Sequence, residues 1–174
     1  MIELLILFVL LKRDRTMYSI RKEIINLFGA VSQPSDGTIY PALERLKKQN
    51  CISVSEKISE GGKKSTYYSL QKDGRAKAKK LFVENTAENP KMFYYYMVTR
   101  LMVMSFFDKE TQKQFLENGL KEIDSVRNAI RNDMEDEYKA LDYYQKNAYA
   151  EIIKQLDGFE SLFHKYQKEC ADKK

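Results

Sequence analysis

Ser35-Asp36-Gly37-Thr38-Ile39-Tyr40-Pro41-Ala42-Leu43-Glu44-Arg45-Leu46-Lys47-Lys48-Gln49 is the stretch on which the fold turns. Ile39, Ala42, Leu43 and Leu46 recur at the spacing of an apolar helical stripe, so the segment reads as a helix with one face in a core. Ser35, after the break at Gln33-Pro34, is a natural N-cap, and the helix is expected to reach about Gln49. The opposite face carries Gly37, Pro41, Glu44 and Lys48. Thr38 and Arg45 flank that face on one side, Tyr40 and Lys47 on the other. Pro41 frees the carbonyl of Gly37, which is tolerable where that carbonyl faces water.

Upstream, Thr16 is placed to cap a helix from Met17 to Phe28, with Met17, Ile20, Ile24 and Leu27/Phe28 at helical spacing and Gly29 as a stop signal. Before it, Ile2 to Lys12 forms an almost wholly apolar helix that must be buried on more than one face. Its ten-residue apolar run, Ile2–Leu11, is too short for a bilayer, which needs about 20 residues. No basic segment precedes that run and no small-residue cleavage site follows it, so it does not read as a targeting segment. Downstream the period changes to two. Ile52, Val54 and Ile58, then Thr66, Tyr68 and Leu70, alternate with polar residues around Glu60-Gly61-Gly62-Lys63-Lys64. That pattern is a β-hairpin with a basic tip. Three helices followed by a two-stranded wing make a winged helix-turn-helix.

The remainder is helical. Residues 71–86 read as a basic helix (Lys72, Arg75, Lys77, Lys79, Lys80), and Pro90 marks a boundary. Met92 to Phe107 is dense in aromatics and Met. From about Lys109, Leu116, Leu120, Ile123, Ile130, Met134 and Leu141 follow one heptad seam, with Arg127 and Glu137 in two of its positions. A last helix, about Gln145 to Lys168, carries Ala148, Ile152, Leu156, Phe159, Phe163 and Tyr166. These two helices are expected to form an αα-hairpin. Their seams are also expected to bring in a second copy of the chain through Leu116, Leu120, Ile123, Ile130, Met134, Ile152, Leu156, Phe159 and Phe163. The expected fold is therefore mainly α: an N-terminal winged helix-turn-helix over residues 1–82 and a C-terminal α-helical dimerisation region over 83–174.

Charge supports that division of labour. The net charge is +5, but residues 1–82 carry 16 Lys and Arg against 8 Asp and Glu, while residues 83–174 carry 14 against 17. A basic first half points to a polyanion as its partner, here double-stranded DNA. A helix in the major groove presents side chains to base edges while neighbouring residues hold phosphates. Tyr18, Ser35, Thr38, Tyr40, Arg45, Lys47 and Lys48 are the candidate contacts. Lys63 and Lys64 would reach the flanking backbone or minor groove from the wing tip. The competing reading is a winged-helix adaptor for protein contacts.

Little points to catalysis. His164 stands alone, Glu135-Asp136-Glu137 reads as a solvated helix face, and no phosphate-binding loop, dinucleotide glycine motif or nucleophile elbow occurs. The expectation is no enzyme, no cofactor and no metal site. Cys51 and Cys170 match no metal or redox spacing, which suits a reducing, cytoplasmic setting. Cys51 reads as a small core residue ahead of a redox-sensing thiol. Met92, Tyr95, Tyr96 and Met97 are candidates for a pocket taking a small hydrophobic or aromatic effector, although such a stretch more commonly packs as core or interface.

Tyr18-x-Ile20, Ser35-x-Gly37-Thr38-Ile39-Tyr40-Pro41-Ala42-Leu43-x-Arg45-Leu46, and Gly61-Gly62 followed by Lys64-x-x-Tyr67-Tyr68-x-Leu70-x-x-x-Gly74-Arg75 together resemble the PadR-type (phenolic acid decarboxylase repressor) transcriptional regulators. The resemblance covers about residues 1–80 directly. The second half is similar in outline to the larger subgroup of that family, with its long helical C-terminal region. What it implies is a homodimer that binds a palindromic operator and represses transcription, with some relatives released by a small aromatic or amphipathic ligand. The chain departs from the pattern at Thr16-Met17, where His-Gly is usual, and at Gln71, where Thr is usual.

Overall fold

The computed structural model describes residues 1–58, 64–84, 90–137 and 141–172, with the helix path alone for residues 90–91, 133–137 and 171–172. Along the chain run α1 (Ile2–Leu10), α2 (Met17–Phe28), α3 (Asp36–Lys48), β1 (Ile52–Ile58), β2 (Lys64–Leu70), α4 (Lys72–Val83), α5 (Pro90–Val103), a 3-10 turn (Met104–Phe106), α6 (Lys109–Glu137) and α7 (Tyr143–Asp172). The chain divides into two compact units. One comprises Met1–Phe82 with Val98–Val103, the other Val83–Met97 with Met104–Lys174.

In the first unit α1 is the centre of the core. Leu4 through Leu10 are all buried, because this helix packs against α2, α3 and β2. Each such aliphatic side chain contributes roughly 1.5–3 kcal/mol by leaving water. The helix ends at Leu10, before the Lys12 expected from the sequence, with Leu11 as its C-cap. Thr16 does cap α2, its Oγ1 accepting from the Ser19 amide at 3.2 Å. Gly29 follows α2 in the right-handed conformation, so it ends the helix without the left-handed turn usual for a terminal glycine.

The α3 stripe of Ile39, Ala42, Leu43 and Leu46 is fully buried. Pro41 sits inside the helix with both it and Gly37 exposed, which lets water reach the freed carbonyl. Ser35 occupies the cap position, yet its hydroxyl lies 3.1 Å from the Thr38 hydroxyl and caps no backbone amide. At the other end Asn50 takes a left-handed φ of 54°. The Cys51 amide donates to Leu46 O at 2.9 Å and the Asn50 amide to Lys47 O at 3.0 Å, closing a Schellman turn.

β1 and β2 pair antiparallel from Ile52↔Leu70 to Ile58↔Lys64. The alternation in β1 does not mark a core face, however. Only Ile52 is buried, while Val54 and Ile58 are 38% and 72% exposed, so the wing stands clear of the body. Gly61, Gly62 and Lys63 of the tip lie outside the described residues. The wing is tied down at its base. Arg15 and Tyr68 exchange backbone hydrogen bonds of 3.1 and 2.8 Å. The buried Arg15 side chain also donates to Val9 O and pairs with Glu23 at 3.0 Å. Gln71 donates to Ser53 Oγ at 2.7 Å, so the residue that replaces the usual cap binds the wing instead.

In the second unit α6 and α7 form the expected αα-hairpin. Leu116, Ile123 and Phe163 are fully buried, and the Phe115 and Phe163 rings meet tilted at 56°, 5.3 Å between centroids. Arg127, which occupies one of the seam positions, is a clasp between the helices: it pairs with Asp124 at 2.8 Å, Asp157 at 3.0 Å and also Glu160. α7 begins at Tyr143, two residues before the expected Gln145, because Asp142 and Gln145 make a capping box. The Gln145 amide donates to Asp142 Oδ1 at 2.8 Å and the Asp142 amide to Gln145 Oε1 at 2.9 Å. No described helix is long and apolar enough to cross a membrane.

Candidate nucleic-acid interface

The surface that α3 offers follows from its buried stripe. Opposite that stripe, Thr38, Pro41, Arg45 and Lys48 run along one line, and Gly37, Tyr40, Glu44 and Lys47 along the next. Ser35, Thr38, Tyr40, Arg45, Lys47 and Lys48 are all exposed, Tyr40 at 55%. Tyr18, near the start of α2, is 67% exposed. The α2–α3 turn is held by Arg21, whose Nε donates to Pro34 O at 3.2 Å and lies 3.5 Å from Asp36. A helix so braced presents its outer face as a fixed surface.

The cations differ in availability. Lys47 and Lys48 have no acidic partner among the described residues. Arg45, expected to be an open donor, gives its Nε to Glu3 Oε1 at 2.8 Å. Lys64 is paired across the wing with Glu56, and Lys57 lies 3.5 Å from Asp14. Lys63 lies outside the described residues. Glu3, Glu23 and Arg15 carry no motif, so sequence reading missed the ion pairs that govern which basic residues are open. Only their sequence-distant partners reveal them.

The thiol of Cys51 is buried, with Sγ 3.6 Å from Gln49 O, and burial pushes its pKa up. A thiol so protonated is a poor nucleophile, which fits the core reading. His164 is exposed beside Gln167, and no group of metal-ligating residues occurs among the described residues.

The second unit holds an apolar groove of about 300 Å³ lined by Phe93, Tyr94, Val126, Ile130, Ile152, Gln155, Leu156 and Phe159. The residues singled out for an effector, Met92, Tyr95, Tyr96 and Met97, are not among those lining it. Met97 is fully buried, Met92, Tyr95 and Tyr96 are half-buried, and the two tyrosine rings meet at 5.4 Å. Of the seam expected to bind a second copy, Leu116, Ile123, Leu156, Phe159 and Phe163 are buried within the single chain, Leu120 and Ile130 are half-buried, and Ile152 is 44% exposed. Met134 lies on α6 where the helix path alone is described.

No curated protein matches the chain. Among solved structures it is similar to PadR of Bacillus subtilis in complex with operator DNA, at 13% identity over 97% of each chain and a TM-score of 0.44. It is similar to that protein in complex with p-coumaric acid, at 13% identity over 98% of this chain and 99% of the other, with a TM-score of 0.40. A PadR family transcription regulator from Clostridium difficile is 25% identical over 61% of this chain and 98% of its own, with a TM-score of 0.39. Independently of those superpositions, residues 6–80, which hold α2, α3 and the wing, match the transcriptional regulator PadR-like family.

Proposed function

We propose that the chain is a cytoplasmic, sequence-specific DNA-binding transcriptional regulator that acts as a homodimeric repressor on a two-fold symmetric operator. Residues 1–82 would bind the duplex and residues 83–174 would carry the dimer contacts. The observation that carries this reading is the outer face of α3, solvent-exposed along its length, with Thr38 and Tyr40 toward its start and Lys47 and Lys48 toward its end. Hydroxyl donors suit base edges, and exposed ammonium groups suit phosphates. The match of residues 6–80 to a family of transcriptional regulators supports it. Ile152, Ile130, Leu120 and Tyr94 keep apolar surface open after α6 and α7 have packed, which supports self-association. The apolar groove beside them suits a small hydrophobic or aromatic effector.

The test is an anisotropy titration with duplex from immediately upstream of the chain's own gene, run at two salt concentrations, alongside sedimentation of the protein. The expected result is a dimer whose affinity for that duplex exceeds its affinity for random DNA and falls steeply with salt. Half-sites should lie about 34–36 Å apart, one helical turn. Equal, background-level affinity for both duplexes at low salt would overturn the reading and leave the winged-helix adaptor in its place.

A further inference from the structure

We propose that Glu3 is a positioning residue: it withdraws Arg45 from the set of side chains that grip DNA and fixes α3 to α1 and α4. The proposal rests on the DNA-binding reading above. Arg45 lies on the same exposed line of α3 as Thr38, Pro41 and Lys48, where a cation would ordinarily count as a phosphate contact.

The geometry assigns it elsewhere. Arg45 Nε donates to Glu3 Oε1 at 2.8 Å, and Lys77 Nζ on α4 lies 2.7 Å from Glu3 Oε2. Lys77 also reaches Gln49 Oε1, just past the end of α3. One carboxylate, its side chain 15% exposed, therefore has both oxygens occupied and joins three helices.

Burial opposes the charge on Glu3, yet the hydrogen bonds and charges of Lys77 and Arg45 outweigh it and hold the carboxyl below its ordinary pKa. Glu3 is thus an anion at neutral pH. Charge-assisted hydrogen bonds to a largely buried carboxylate are screened by salt less than contacts at an open surface. Moving Arg45 to a phosphate would strip that carboxylate of one of its cations, a cost that Lys47 and Lys48 do not face. α3 then meets the phosphates through Lys47 and Lys48, which have no acidic partner among the described residues, while Arg45 sets the angle at which the helix leaves the core.

Two measurements test this. In the first, affinity for duplex from upstream of the chain's own gene is followed against salt for the unaltered protein and Arg45→Gln. The expected slope of log affinity against log salt is the same for both. A slope flatter by about 1.8 in the variant, the loss of one phosphate contact from each protomer of the dimer, overturns the proposal. In the second, thermal unfolding without DNA is compared for Glu3→Gln, Arg45→Gln and the double variant. The double variant should melt no lower than the weaker single one, whereas additive losses overturn the pairing. If the unaltered protein fails to bind that duplex, the proposed function falls. The unfolding cycle still decides whether Glu3 holds Arg45.

Discussion

Glu3 makes the stability of the first unit depend on pH in a definite direction. Burial would raise its pKa, but Lys77 and Arg45 together lower it. A carboxyl whose folded pKa lies below its unfolded value contributes stability in full above the unfolded value, about 4.3, and loses it as pH falls through the folded one. The melting temperature of Glu3→Gln should therefore trail that of the unaltered protein at about pH 7, and the gap should narrow as the pH falls below about 4.3. A gap that stays constant or widens on acidification contradicts the ion pairs. Some residues here were legible in the sequence and others were not. Thr16 caps α2 because a hydroxyl beside a run of free amides has few better options. The Arg15 charge was legible, but its burial against Val9 and Glu23 depends on where α1 turns into α2. Ser35 was placed correctly at the head of α3, although its hydroxyl turned to Thr38.

At the scale of elements, the helical hairpin shows what periodicity conveys and what it leaves open. The seam from Leu116 to Ile130 was visible because burial repeats every turn. A seam does not say whether its partner is α7 or another chain, and here α7 fills most of it. The same limit applies to α5: aromatic density announced an apolar site, but helical register turns Phe93 and Tyr94 toward the groove, not Tyr95 and Tyr96. The Asp142–Gln145 box was readable from its spacing and moves the start of α7 back by two residues. Two glycines test the packing of the hairpin. A Cβ on Gly119 would come within 2.1 Å of the Phe163 ring, whereas one on Gly158 would meet nothing within 4 Å. Alanine gains about 1 kcal/mol over glycine inside a helix, but overpacking a core costs roughly 1–3 kcal/mol. Gly158→Ala should raise the melting temperature and Gly119→Ala should lower it. Both changes raising it would mean that Phe163 does not pack against α6 as described.

For the whole molecule, the basic excess of residues 1–82 was legible as a total, but not in its distribution. Arg15, Arg21, Arg45, Lys57 and Lys64 all pair with acids of the same unit. Of the exposed cations in this unit, Arg13, Lys22, Lys47, Lys48, Lys72 and Arg75 have no acidic partner among the described residues. Affinity for a polyanion should come from these, and among them only Lys47 and Lys48 stand on α3. The most direct measurement is therefore the affinity of the Lys47→Glu/Lys48→Glu variant for duplex from upstream of the chain's own gene, taken at low salt beside its melting curve. The expected result is a loss of about tenfold or more, worth about 1.4 kcal/mol per decade, with melting unchanged. Unaltered affinity in a variant that melts normally would contradict the assignment of α3 to the duplex.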